Sequence, residues 1–420
     1  MALVATYSLL TDAQEGTVPG DLVVRAATAD DIEQIVALNV AAFGVQDGPD
    51  VRAFLGDDGT RDAWSVVAEG TRVASSIGRI DHRMQVDGLE FTAAQIEYVA
   101  TDPAYQRRGL VASQLAWHHQ RCDEDGIPLQ LIGGIPYFYR RFGYGYGLEA
   151  PTLFLFDPDR VAAHRTPGTL RVRAACASDV AEVTALEQQR PTSGLRVVRD
   201  EPTWRRDIAM CEASEWGHLL LVENDDAVLG WVRLLDLPKE KRTFLFPSVA
   251  RTPEAVTELV WETLRRSGDH LVVGFDSPAS VFGKQLRALG DSFEYGLGYY
   301  ARIPDPLRFL ELLRPVLSAR LAASDLADSS GTLEISLYSR GLAIDYDRGT
   351  IGEIRSIPGV EDPIDDNGIG VAPDWFPALV LGRWGATELA RRIDDVIVAR
   401  DRRLMDALFP RQMSDVAADF

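Results

Sequence analysis

One fourteen-residue segment occurs twice in this chain. Arg25-Ala-Ala-Thr-Ala-Asp-Asp-Ile-Glu-Gln-Ile-Val-Ala-Leu38 returns as Arg173-Ala-Ala-Cys-Ala-Ser-Asp-Val-Ala-Glu-Val-Thr-Ala-Leu186, identical at seven positions and offset by 148 residues. That offset is about one domain length. Each copy follows a short strand-like run, Leu22 to Arg25 and Leu170 to Arg173. Each then carries an aspartate ahead of an amphipathic stretch, which is a helix start. A strand-then-helix unit repeated in this way predicts a duplicated domain. At 420 residues the chain also exceeds a single core.

The first copy continues with strands expected at Trp64 to Glu69 and Arg72 to Ile80, then Arg83 to Val86 and Leu89 to Phe91 around Asp87-Gly88, a hairpin signal. A further strand, Ala94 to Ala100, runs into Thr101-Asp-Pro-Ala-Tyr-Gln-Arg-Arg-Gly109, and a helix is expected from Leu110 to Cys122. A glycine-containing loop before a helix presents backbone N–H groups that suit a pyrophosphate. Arg107 and Arg108 add charge for phosphate oxygens. After another expected strand, Leu129 to Ile135, comes Tyr137-Phe-Tyr-Arg-Arg-Phe-Gly-Tyr-Gly145. The two segments together suggest a nucleotide-type cofactor beside a phenol able to act as an acid. The equivalent loop of the second copy, Pro247 to Glu254, has no glycine and carries Pro253, so it cannot offer the same amides.

Gln106-Arg-Arg-Gly109 resembles the acyl-CoA loop of the GNAT superfamily of N-acetyltransferases, and Phe138-Tyr-Arg-Arg-Phe-Gly-Tyr-Gly145 is similar to the Eis (enhanced intracellular survival) family within it. Val111 stands where most of the superfamily has Gly or Ala. The resemblance is specific from Tyr98 to Gly147 and architectural elsewhere. It implies acetyl-CoA as co-substrate, with the backbone of Val99 and Thr101 facing its acetyl and pantetheine groups and Gln106, Arg107, Arg108, Gly109 and Leu110 around the pyrophosphate. It implies Tyr139 as the acid for the departing thiolate, with Tyr137, Tyr144 and Tyr146 as competitors. It implies the terminal carboxylate of Phe420 as the base. Family acceptors are aminoglycosides, other polyamines and lysine amines, so a small-molecule or peptide amine is expected, and the resemblance implies a homo-hexamer built as two trimers.

Composition limits the alternatives. A net charge of −20 disfavours a general nucleic-acid binder and suits cationic partners. No apolar run reaches a membrane span. The three cysteines, Cys122, Cys176 and Cys211, are few and far apart, which fits a reducing cytoplasm and argues against a Cys metal site. No metal is expected. His118 and His119 are expected on the solvent face of their helix. Asp47, Asp50, Asp57, Asp58 and Asp62 could draw in a polyamine, but the favoured expectation is a solvated loop.

After Arg302-Ile-Pro-Asp-Pro-Leu307 the character changes. A helix is expected from Leu307 to Leu321, kinked or broken at Pro315. Short strands follow at Gly331 to Leu337, Gly341 to Asp345 and Gly349 to Ile354, then a helical stretch from Ala386. This order resembles the sterol-carrier-like domain that closes Eis-family chains. The expected fold class is α/β, of the mixed α+β kind. An acetyl-CoA-binding GNAT domain spans 1–160, a degenerate GNAT domain 161–303 and a sterol-carrier-like α+β domain 304–420. A different reading is a lipid- or partner-binding module on a weak or inactive acetyltransferase scaffold.

Overall fold

The computed structural model describes residues 21–416 apart from 57, 150–151, 169, 190–192, 247, 277–279 and 295–297. The chain forms two compact units. One comprises residues up to Met84, Leu89–Leu148 and Tyr299–Arg411; the other comprises Gln85–Gly88, Glu149–Gly298 and the residues from Gln412 on.

One sheet, whose strands belong to the first unit apart from Gln85 and Val86, runs in the order Leu22–Ala26, Ser65–Glu69, Arg72–Val86, Leu89–Thr101, Gln130–Ile132, Tyr300–Arg302, Gly145–Tyr146. The long hairpin turns at Asp87 and Gly88, both at positive φ, as the Asp-Gly pair requires. The helix Ile32–Phe43 buries Ile35 and Val36 with Trp64, Val66 and Val73. Leu89–Thr101 and Gln130–Ile132 run parallel, and the strand Tyr300–Arg302 lies between Gln130–Ile132 and Gly145–Tyr146.

The second unit repeats this plan. Its sheet runs Arg171–Ala174, Gly217–Glu223, Val228–Leu237, Arg242–Leu245, Leu271–Asp276, Thr152–Phe156, Gly290–Glu294, with a parallel pair at Arg242–Leu245 and Leu271–Asp276. The repeat has a local physical basis. Arg25 pairs with Asp31 at 2.6 Å and Arg173 with Asp179 at 2.7 Å, so each copy ties its first strand to its first helix in the same way.

Each sheet is completed by a strand from outside its own copy of the repeat. Thr152–Phe156, placed with the first domain by sequence order, pairs in the second unit, and Tyr300–Arg302, placed with the second, pairs in the first. The last part of the chain adds a sheet ordered Thr350–Pro358, Arg340–Asp347, Ser330–Ser336, Ile369–Val371, Val396–Val398, with the helix Pro306–Ala322. That helix continues through Pro315 rather than breaking there. Proline removes one helical hydrogen bond, but Phe309, Leu310, Leu313, Val316, Leu317 and Leu321 are buried on both sides of it and hold the helix together.

Candidate active site

The strand Leu89–Thr101 carries the first part of the site. Its parallel pairing with Gln130–Ile132 ends at Ile96 opposite Ile132. At Tyr98 the backbone turns to φ 54, and the ring stacks on Trp64 at 5.5 Å. Val99 and Thr101, both half-buried, lie beyond this left-handed residue. A strand whose ladder has parted from its neighbour has backbone groups to offer a ligand.

The loop that follows is shaped for an anion. Asp102 caps the turn Pro103–Tyr105 by accepting from the Ala104 N–H at 2.9 Å. Arg107 (φ 62) and Gly109 (φ 77) are left-handed, and the helix Leu110–Glu124 starts immediately after. Its first-turn amides have no intrahelical acceptors. Gln106, Arg107 and Arg108 are exposed, while Leu110 is buried and anchors the helix start. A residue that sequence reasoning missed underlies the loop. Arg72 and Arg108 each lie over the Tyr105 ring, at 5.0 and 4.9 Å, and its hydroxyl donates to Glu69 at 2.6 Å. Val111 packs toward the apolar cluster of Ile96, Leu115 and Tyr139. Alternating left-handed residues before a helix N-terminus, with two exposed arginines, fit a pyrophosphate.

The four competing tyrosines separate cleanly. Tyr144 is fully buried, donates to Gln130 and lies 3.3 Å from His119. The Tyr146 hydroxyl accepts from the Tyr137 N–H at 3.0 Å and from the Tyr300 hydroxyl at 3.1 Å. Tyr137 is 72% exposed. Tyr139 is only 4% exposed, with rings of Phe138, Tyr144 and Tyr300 around it. Its hydroxyl makes no hydrogen bond among the described residues. Gly134, at φ 125, lies against this phenol, where a Cβ would stand 3.7 Å from the hydroxyl. Burial, reinforced by Glu97, raises the phenol's pKa, so Tyr139 is a neutral donor.

Glu97 is a second residue that sequence reasoning missed. It is half-buried on the cofactor strand, and Gln95 donates to it at 2.7 Å. Burial pushes its carboxyl up; the Gln95 hydrogen bond and His82 oppose that push, and Asp47 adds to it. Burial and then Asp50 raise Asp47 to about 6. Asp47 is half-buried, not solvated as expected, and Gly48–Gly56 and Asp58–Asp62 are helices rather than a loop, while Asp57 lies outside the described residues. A lone carboxylate inside an apolar strand, Ile96-Glu97-Tyr98, was the available signal. Both helix histidines also correct the expectation. His118 is fully buried 3.0 Å from the Ser65 hydroxyl, His119 is half-buried, and burial takes each down to about 3. Phe420 lies outside the described residues.

In the second unit the helix Pro253–Ser267 begins differently. Thr252 caps it, its hydroxyl accepting from the Ala255 N–H at 3.2 Å, and Pro253 supplies no N–H. Among the described residues, no group of three or more His, Cys, Asp or Glu side chains could hold a metal ion, and no helix is long and apolar enough to cross a membrane.

Residues 23–147 match the family described as "Acetyltransferase (GNAT) domain". Over 142 residues the chain is 31% identical to "N-acetyltransferase Eis" of Mycobacterium bovis and of Mycobacterium tuberculosis, covering 32% of this chain and 34% of theirs. The match thus spans about a third of the length of these relatives. Over nearly the whole chain the fold is similar to that of a GCN5-related N-acetyltransferase from Kribbella flavida (TM-score 0.64, 18% identity, 94% of this chain and 98% of that one). It is similar also to Eis1 from Mycobacterium abscessus (TM-score 0.60, 17% identity, 95% and 100%).

Proposed function

We propose that this chain, whose residues 23–147 match the GNAT acetyltransferase domain and which over 142 residues resembles the Eis N-acetyltransferases, transfers an acetyl group from acetyl-CoA to a primary amine of a cationic acceptor. The observation that carries this reading is the Tyr139 phenol, unpaired among the described residues, packed in one apolar cluster with Ile96 and Val99 of the strand that leads into the left-handed loop. Gln106, Arg107, Arg108, Gly109 and Leu110 hold the pyrophosphate; the backbone of Val99 and Thr101 holds the acyl end. Acetyl-CoA supplies the thioester that the amine attacks directly.

Tyr139 donates its proton to the leaving thiolate. Its neutrality up to high pH keeps that proton available at neutral pH. The amine's proton goes to a carboxylate, for which the Phe420 terminus, by resemblance, and Glu97, by its place on the strand, are the two candidates. The second unit binds no cofactor in this reading, because Thr252 and Pro253 close its helix start. The hexamer, the cytoplasmic location and the sterol-carrier-like character of 304–420 belong to the same proposal and rest on the resemblance.

The decisive experiment is a thiol-release assay with acetyl-CoA against aminoglycosides, polyamines, amino acids and peptides. Amine-dependent release supports the reading. Tight acetyl-CoA binding without release from any amine supports the lipid- or partner-binding scaffold instead. A C-terminal fusion and Glu97→Gln then separate the two bases. The base is the one whose loss lowers turnover about 100-fold while acetyl-CoA binding stays intact.

A further inference from the structure

The proposed acid sits on a segment that cannot hold its own shape. Phe138–Phe142 is a five-residue 3-10 turn, too short to persist alone. The chain enters it through Tyr137 at φ 68 and leaves through Gly143 at φ 82. The left-handed region is costly for a residue with a Cβ, so contacts from elsewhere must impose this path.

Those contacts come from Asp374 to Arg383. The Asp374 carboxylate accepts from Arg140 in a short ion pair. The carbonyl of the same residue stands so close to Gly145 that a Cβ there would come within 1.7 Å of it. Arg383 donates to the Tyr146 carbonyl at 3.1 Å and lies over the Tyr146 ring at 5.5 Å. Asp374 thus meets the tyrosine segment at two places, inside the turn by its side chain at Arg140 and just after it by the close approach of its backbone to Gly145.

We propose that Asp374 is a positioning residue for acetyl transfer. Through Arg140 it fixes the turn that carries Tyr139, and so the place of the phenol hydroxyl. This rests on Tyr139 being the acid. Both partners of the ion pair are one-third exposed, so the pair adds little to global stability. Its loss registers in alignment, where a displacement of about 1 Å can cost about 100-fold in rate.

The test is steady-state kinetics of Asp374→Asn, Asp374→Glu and Tyr139→Phe, with Asp374→Asn also built into Tyr139→Phe. Asp374→Asn is expected to lower kcat about tenfold, with KM for acetyl-CoA within about twofold and melting within about two degrees of the parent. Asp374→Glu recovers most of the rate. In the Tyr139→Phe background Asp374→Asn has no further effect, because the group it positions is gone. An undiminished kcat in Asp374→Asn overturns the positioning role, as does an equal loss in both backgrounds or a fall in kcat that tracks melting. Parent-level turnover in Tyr139→Phe refutes the acid assignment itself. A loss in Tyr139→Phe with none in Asp374→Asn refutes the positioning alone.

Discussion

Tyr139 is a buried phenol with no hydrogen-bond partner among the described residues, whereas Tyr144 and Tyr146 spend their hydroxyls on neighbours. Tyr139→Phe removes no hydrogen bond among the described residues, so it should fold like the parent and keep its cofactor affinity, while turnover falls about 100-fold. Turnover within about a factor of two of the parent would move the role to Tyr137. His118 carries a different prediction. Its pKa is about 3 in the folded protein against 6.5 in the unfolded chain. Below 6.5 the unfolded state binds a proton that the folded state refuses, so this contribution is complete above 6.5 and is lost as pH falls toward 3. The fully developed slope is about 1.4 kcal/mol per pH unit for one histidine. Chemical denaturation from pH 7 to pH 4 should show the decline, and His118→Gln should flatten it. An unchanged profile in that variant would remove His118 as its source.

At the scale of elements, the two copies of one fold differ at the start of a single helix. In the first unit Gly109 at φ 77 leads into Leu110–Glu124; in the second, Thr252 and Pro253 occupy the equivalent place. Acetyl-CoA should therefore bind at one site per chain, a stoichiometry that calorimetry reads directly. Gly109→Asp should abolish this binding, since it sets a carboxylate and a Cβ against the pyrophosphate. Retained binding would show that the phosphates lie elsewhere. Circular dichroism of the variant should match the parent.

At the scale of the molecule, the first sheet depends on a strand encoded far from the rest of it. Tyr300–Arg302 fills the place between Gln130–Ile132 and Gly145–Tyr146, with Tyr300 fully buried beside Tyr139. A fragment of residues 1–160 would lack this strand and expose two unpaired sheet edges. It should be insoluble or fail to melt cooperatively, although it holds every residue proposed for the cofactor. A cooperative, acetyl-CoA-binding fragment 1–160 would contradict this dependence.

The linear order of the chain thus reveals the duplication but not how each copy is closed. The loop was legible because its chemistry is local. Gln106-Arg-Arg-Gly109 needs only a glycine able to adopt positive φ, adjacent charges and a helix start. The Asp87-Gly88 hairpin and the paired arginine and aspartate of each repeat are local for the same reason. Which of four tyrosines is buried without a hydroxyl partner was not legible, nor that His118 is buried, nor that Glu97 and Asp47 share an environment. Those outcomes depend on segments brought together by folding. Strand pairing over more than a hundred residues leaves no mark in either strand, because the backbone hydrogen bonds that join them are the same whatever the side chains. The amino-acid sequence determined the local conformations and the repeated plan; the tertiary structure decided which polar groups were buried, paired or left for a ligand, because burial belongs to the packed whole and not to any segment of it.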